Sequence, residues 1–344
     1  PSPKGYVAPV LIDILCPKNK MPVLNNGHLE PAITVSLGPN DIYARFAKKI
    51  NKHSMVKFRI NPDPKTDWIV GSNYYEPSYC LHTYSRASDG PGKILSYTTK
   101  SNIENLFGSR LNENSFNSLK STLNLKNPNR SFLYQDIYNK GFSLDYISKK
   151  TKINKRKLKD YFKNKDKNLS NKEISKICKI TNSNPNDYFD RSFKEDPVGK
   201  YYFDYKDSIK TIRDFKSYKV ASIACSPRSP DLTGYFIKVE NKTKKAVTDI
   251  LDSTCAHYLV SKGSLICFVL VNGNLKRIKM NEGDSIWMGS YTKHGFSGIG
   301  ALVKISDGQN FNYLEKTDLI NTYNLKMTLA RGRKDNINWG YDTK

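Results

Sequence analysis

Five histidines occur among the 344 residues of this chain, and two of them stand near carboxylates. His28 lies in Leu24-Asn25-Asn26-Gly27-His28-Leu29-Glu30, and His82 closes Glu76-Pro77-Ser78-Tyr79-Cys80-Leu81-His82. Two neutral imidazoles and one carboxylate on one side of a metal leave adjacent coordination positions open. Non-heme iron(II) oxygenases admit substrate and dioxygen at such positions. In a small β-barrel the ligands come from converging strands. His28 on an early strand, with Glu76 and His82 on a later hairpin, suits that layout. Glu30 is a rival carboxylate, since two residues on in a strand it shares a face with His28. The plainer reading makes both imidazoles hydrogen-bonded core residues and Glu76 the cap of a turn. His53 follows Asn51-Lys52 in a polar stretch and reads as exposed.

A fainter copy lies further on. Cys255-Ala256-His257, Gly263, Glu282-Gly283-Asp284-Ser285-Ile286-Trp287-Met288-Gly289 and His294 have the cadence of the two motifs of a cupin barrel. Leu259, Val260 and Ser261 occupy the stretch where a carboxylate ligand normally follows the first histidine. Two histidines without a third ligand hold iron(II) poorly. This copy is therefore expected to be a structural barrel.

The elements that would position these residues fall into three segments. Residues 1–108 read as β: 7–15, 32–37 and 93–98 are short runs rich in branched residues. They are bounded by the turn formers Pro17-Lys18-Asn19-Lys20, Gly38-Pro39-Asn40-Asp41, Asn61-Pro62-Asp63-Pro64 and Asp89-Gly90-Pro91-Gly92. Residues 109–198 read as helical. Ser143 caps a helix to Thr151, a second runs from Asn154 to Phe162, and 171–180 and 185–189 repeat the theme in a helix-turn-helix-like order. Residues 199–344 return to β at 235–239, 264–271 and 301–305, with Asn272-Gly273 as a hairpin turn. The fold class is mainly β with a helical insert.

Composition narrows the function. Hydrophobic residues at 38% and aromatics at 12% support a packed core and exclude a disordered chain. No run of about 18 apolar residues occurs, so no membrane helix is expected. The six cysteines form no CxxC pair, which points to buried free thiols in a reducing cytoplasm. The opening Pro1-Ser2-Pro3-Lys4-Gly5-Tyr6 resembles neither a signal peptide nor a natural start, and an upstream segment is expected. The net charge of +24 is uneven: residues 140–181 carry 14 Lys and Arg against four acids. A lysine- and asparagine-rich composition is also what an AT-rich genome produces, so charge alone does not name a partner.

Specific runs carry a family resemblance. Gly5-Tyr6-Val7-Ala8-Pro9-Val10, Asp13-Ile14-Leu15-Cys16-Pro17 and Leu24-Asn25-Asn26-Gly27-His28-Leu29-Glu30-Pro31-Ala32-Ile33-Thr34-Val35 resemble the hydroxyethylphosphonate dioxygenase and methylphosphonate synthase family. So do Glu76-Pro77-Ser78-Tyr79-Cys80, His82, Ser96-Tyr97-Thr98, Ser101-Asn102-Ile103, Arg331-Gly332-Arg333 and Trp339-Gly340-Tyr341-Asp342. The resemblance implies a bicupin with a helix-turn-helix-like module between its barrels. It implies one Fe(II) held by His28, Glu76 and His82. It gives Asn25 to the substrate, with Ser96 and Lys304 as phosphonate contacts. It implies a homodimer or higher homo-oligomer, and an N-terminal helical segment upstream of Pro1 that adds an Arg, a Tyr and a Lys to the phosphonate site. Such enzymes cleave the C1–C2 bond of 2-hydroxyethylphosphonate with dioxygen and no 2-oxoglutarate, because the substrate supplies all four electrons.

Two product branches divide the family. Dioxygenases yield hydroxymethylphosphonate and formate; synthases yield methylphosphonate and carbon dioxide or bicarbonate, and have Gln where this chain has Glu76. The carboxylate at Glu76, together with Tyr84, resembles the dioxygenase branch, whereas the AT-rich composition resembles marine methylphosphonate producers. A rival of another class is a cupin-type regulator whose basic helical insert binds DNA. That insert lies between two β segments rather than at a free terminus, and DNA is not among the expected partners. A third class, a cupin isomerase or epimerase, would not need two His and a Glu around an open metal.

Overall fold

In the computed structural model, described residues are 7–99 (apart from 21, 26, 50 and 51), 128–163, 168–189, 201–226, 231–242, 246–311 and 313–321, with 115, 117, 229, 324 and 326 as single positions. Residues 1–6, Asn26, Ser101-Asn102-Ile103, the Arg331 and Trp339 motifs and the His53 side chain lie outside them. The chain forms two compact units, residues 1–101 with 195–344, and residues 102–194.

In the first unit, alternation along each strand sorts side chains onto two faces. One sheet runs β1 (Val7–Ile14), β7 (Gly92–Thr99), β2 (Ala32–Pro39), β5 (Asn73–Glu76) and β8 (Tyr201–Phe203). A smaller sheet, β4 (Lys52–Phe58), β3 (Ile42–Lys49) and β6 (His82–Arg86), closes the first barrel. β2 sets Thr34 against Ser96 on β7, and Ala32 against Glu76 on β5. Ile33, Val35, Tyr75, Leu95 and Tyr97 then fall on one face, in a buried apolar cluster. Tyr74 and Ile94 fall on the other, with Ile42, Ala44, Phe46 and Phe58 of the smaller sheet. By the same alternation Thr34, Glu76 and Ser96 look into the first barrel.

The second barrel is a seven-stranded sheet in the order β13 (Asn274–Asn281), β12 (Ala256–Val271), β15 (His294–Ser306), β11 (Gly234–Val239), β10 (Tyr218–Ser222) and β9 (Arg213–Phe215), with β14 (Ser285–Met288) on β12. Its interior is filled by Tyr258, Val260, Leu265, Cys267, Met280 and Phe296. The alternate residues Phe236, Leu259, Val303 and Ile305 pack instead with Ile33, Tyr75 and Tyr97 of the first barrel. The two barrels therefore share an apolar layer between sheets, and each keeps its own interior. The Asn272-Gly273 turn joining β12 and β13 has positive φ at both residues, 51° and 80°, as a type I′ hairpin requires.

The second unit contains α1 (Pro128–Asn139), α2 (Leu144–Thr151), α3 (Lys155–Phe162), α4 (Asn171–Thr181) and a 3₁₀ turn (Pro185–Asp187) where the sequence suggests a further helix over 185–189. Ser143 accepts from Tyr146 N and Asn154 from Arg156 N, while Ser170 and Glu173 form a reciprocal capping box. Each cap satisfies an orphan N–H and contributes about 1 kcal/mol. Leu133, Ile137, Ile147, Leu158, Tyr161, Ile174 and Ile177 make its core. The β3–β4 hairpin is not among the strands the sequence patterning suggests, because lysines crowd its ends and hide the buried run Ile42, Ala44, Phe46. All six cysteines are free thiols. Among the described residues no helix is long and apolar enough to cross a membrane.

Candidate metal centre

Glu76 is the last residue of β5, held by its pairing with Ala32 at the barrel interior, and is 1% exposed. His82 opens β6, beside Phe46 of β3. The link between them is a five-residue crossing from one sheet to the other, not the hairpin the spacing suggests. His28 is not on a strand either; it sits in an irregular loop before β2. That loop is docked by backbone bonds: Asn25 N to His82 O at 3.0 Å, and Tyr79 N to His28 O at 2.7 Å. Gly27 has φ +73°, and a Cβ there would lie 3.0 Å from the Tyr79 backbone. Only glycine fits that close approach without strain, so the glycine just before His28 is a geometric demand of this docking.

These three elements bring His28, Glu76 and His82 together, with one donor atom from each within 4.8 Å of the others. His28 Nε2 lies 2.7 Å from Glu76 Oε1, and His82 Nδ1 lies 3.5 Å from Glu76 Oε2. The two imidazoles meet edge to face at 81°. Each ring has a backbone carbonyl against Nδ1: Glu30 O at 2.6 Å from His28 and Cys80 O at 2.8 Å from His82. A carbonyl only accepts, so each Nδ1 carries a proton, and in a neutral ring Nε2 is left with the lone pair.

In a neutral ring that tautomer creates an electrostatic problem: the His28 Nε2 lone pair would face a carboxylate oxygen at 2.7 Å, so the contact requires a second proton on Nε2 or a metal cation in its place. The hydrogen bond to Glu76 accordingly raises the His28 pKa, against burial, which lowers it. Glu76 Oε2 is buried with no hydrogen-bond partner, a costly state for a carboxylate oxygen. A divalent cation among the three side chains would answer both deficits, and two nitrogens with one oxygen are a donor set for a borderline metal.

Glu30 does not compete: its carbonyl, not its carboxylate, orients His28, and its Oε2 stands 3.9 Å from Nδ1. Asn25 is brought to the group. Its Oδ1 accepts from His82 N at 2.9 Å, and its Nδ2 lies 3.0 Å from His82 Nε2. Ser96 looks into the same barrel, its Oγ accepting from Thr34 Oγ1 at 3.1 Å. Lys304 is not brought there. Its neighbours Val303 and Ile305 face the first barrel, so Lys304 points into the second, where its ammonium pairs with Asp252 and lies over the rings of Tyr235 and Tyr258. Strand membership suggested reach across the layer; strand parity denies it.

The second copy of the motif does not converge. His294 is inside the second barrel, with Nε2 on the Tyr258 hydroxyl at 2.9 Å, and Tyr258 donates to Asp252 at 2.6 Å. His257 is on the opposite face of β12, its Nδ1 hydrogen-bonded with the Tyr97 hydroxyl at 2.8 Å. Burial lowers the pKa of both, that of His257 to about 4. Sequence reading missed the two orienting carbonyls of Glu30 and Cys80, which leave no side-chain signal. It also missed Thr34, which strand alternation around Ser96 could have located. A cleft of about 780 Å³ lined by Leu37, Leu95, His257 and Trp287 lies behind the first sheet and includes none of the three metal-site residues.

A mainly β bicupin with a two-histidine, one-carboxylate cluster in its first barrel is the architecture of a metal-dependent oxygenase. The 2-hydroxyethylphosphonate dioxygenase cupin-like domain family matches residues 1–99. The 2-hydroxyethylphosphonate dioxygenase of Streptomyces viridochromogenes is 32% identical over 343 residues, 99% of this chain and 77% of that protein. The structure of PhpD with cadmium, complexed with hydroethylphosphonate (HEP), superposes with a TM-score of 0.81 at 30% identity, over 97% of this chain and 78% of that one. Streptomyces albus HEPD, with 2-hydroxyethylphosphonate and Fe(II) bound, has the same fold at 14% identity, with a TM-score of 0.76 over 94% and 73% of the two chains. The chain belongs to the 2-hydroxyethylphosphonate dioxygenase family.

Proposed function

We propose that this protein is an Fe(II)- and dioxygen-dependent oxygenase that cleaves the C1–C2 bond of 2-hydroxyethylphosphonate to hydroxymethylphosphonate and formate. The observation that carries the reading is the buried Glu76 carboxylate, one oxygen on His28 and the other without a partner beside His82. His28, Glu76 and His82 would hold the iron. Bound there, Fe(II) would supply a redox-active centre with open coordination positions. The Streptomyces albus structure holds Fe(II) with this substrate, which supports the choice of metal and ligand for the same fold.

The chain's own residues do the positioning. Carbonyls of Glu30 and Cys80 fix the imidazole planes through Nδ1–H, and such bonds also raise the basicity of the donating Nε2. Asn25, pinned by its Oδ1 to His82 N, turns its amide N–H groups toward the Nε2 side, where they can donate to a phosphonate oxygen. Ser96 accepts from Thr34 and so keeps its own hydroxyl proton for a second phosphonate oxygen. Burial, with the nearby Glu76 charge second, keeps the Tyr84 phenol neutral. Ile14, Phe46 and Ile94 wall the interior with apolar surface, which limits bulk water at the bond being cut. The overall change balances: one dioxygen and one 2-hydroxyethylphosphonate account for every atom of hydroxymethylphosphonate and formic acid. All four electrons come from the substrate, so 2-oxoglutarate is not required.

Phosphorus NMR of the iron-loaded protein given 2-hydroxyethylphosphonate and air tests this. A hydroxymethylphosphonate signal, with oxygen uptake independent of 2-oxoglutarate, is the expected result. Methylphosphonate would keep the substrate and overturn the product; unchanged substrate with iron present would overturn both.

A further inference from the structure

The helical unit carries a surface that the oxygenase reading does not use. α2 and α3 are joined by three residues, Lys152-Ile153-Asn154, with Lys152 in the left-handed conformation at φ 59°. Ile153 is buried in the unit's core, which fixes the angle between the two helices. α3 buries Leu158 and Tyr161. Its outward face presents Lys155, Arg156, Lys159 and Lys163, which with Asp160 line a shallow concavity. Lys155 is paired with Asp145, and Lys157 turns aside to Glu173 at 2.6 Å. Arg156, Lys159 and Lys163, together with Lys152, are exposed and show no ion pair among the described residues.

Arg156, Lys159 and Lys163 on α3 and Lys152 in the turn repel one another, Asp160 is the one acid lining the same concavity, and nothing in the unit's core needs these cations. A helix with its side chains is about 10–12 Å across, the width of a duplex major groove at about 12 Å. The second helix of such a pair presents its outward face to that groove. The outward face of α3 has no apolar residue, so it lacks what an interfacial membrane helix needs. We propose that the α2–turn–α3 face of this protein binds the phosphate backbone of double-stranded nucleic acid through Lys152, Arg156, Lys159 and Lys163.

The test uses the full chain, a fluorescent duplex of random sequence and anisotropy at several salt concentrations. About four neutralised phosphates predict an affinity that falls about a hundredfold between about 50 and 200 mM salt. A net charge of +24 attracts any polyanion, so the decisive comparison is between two variants of equal charge change. R156E/K159E/K163E should lose at least tenfold in affinity. K276E/R277E/K279E, on exposed β13, should lose less than about threefold. Both should keep their helical circular dichroism and the oxygen uptake of the parent. Equal losses in the two variants, or no duplex binding at the lower salt, overturn the proposal. Binding to vesicles of anionic lipid that exceeds binding to duplex overturns it as well.

Discussion

The two barrels of this chain put polar groups at their centres and treat them in opposite ways. In the first, His28, His82 and a Glu76 carboxylate with an unpartnered oxygen come together, and among the described residues no Lys or Arg pairs with that carboxylate. In the second, the Lys304 ammonium pairs with Asp252, Tyr258 donates to the same carboxylate, and His294 is bonded to Tyr258. The pKa directions record the difference: His28 is raised by its bond to Glu76, while His294 is lowered by burial. One barrel is built short of a positive charge and the other supplies its own. A degenerate site is thus recognised by complete internal pairing as much as by a missing ligand.

Four experiments break or sharpen that contrast. Removing a donor from the open barrel has the largest effect. His82→Ala should reduce bound iron to background and abolish turnover, measured by metal analysis and oxygen uptake; unchanged iron stoichiometry would sink the assignment. In the closed barrel, Lys304→Met strands the Asp252 carboxylate at about 10% exposure. Breaking such a pair costs about 3 kcal/mol or more, read as a lower urea midpoint with iron stoichiometry intact. Adding Asp252→Leu should recover much of that loss, because two apolar groups leave no charge unpaired.

The third experiment uses pH. The His257 imidazole, packed on Tyr97 and Trp287, is neutral in the fold down to about pH 4 but protonates near 6.5 when unfolded. The unfolded chain therefore binds more protons in that window, and stability falls as pH drops through it, by at most ~3 kcal/mol. His257→Gln should flatten the profile between those values; an unchanged slope would assign the acid sensitivity to other groups. The smallest effect is expected from Ser96→Ala, which removes one hydroxyl donor to the phosphonate. A loss of about 1 kcal/mol would raise KM several-fold with kcat nearly unchanged, and Thr34→Val should reproduce part of it. A fall in kcat alone would instead place Ser96 at the reacting carbon.

Much of this was legible in the residues. The strands at 32–37, 93–98, 235–239 and 301–305 follow from branched runs between turn formers, and the helices at 143–162 from their Ser143 and Asn154 caps. Both signals are local, and a local energy of a few tenths to about 1 kcal/mol per position decides them. The three clustered donors were legible as types and as a family resemblance; Asn25, which that resemblance gives to the substrate, lies against His82. The β3–β4 hairpin and the five-residue crossing between sheets were not, because both depend on which strand finds which partner.

Sequence alone determined the donor inventory of this protein: few histidines, a carboxylate six residues before one of them, a glycine before the other. It also determined the period-two patterning that makes two barrels and the caps that start the helices. Tertiary structure decided which donors meet. It turned Glu30's carbonyl rather than its carboxylate to His28, sent Lys304 into the second barrel, and put His257 and His294 on opposite faces of the second barrel's sheet. The physical reason is that a side chain's face is set by strand parity and register. Register is fixed by burial summed over the whole sheet, which no single residue or motif encodes.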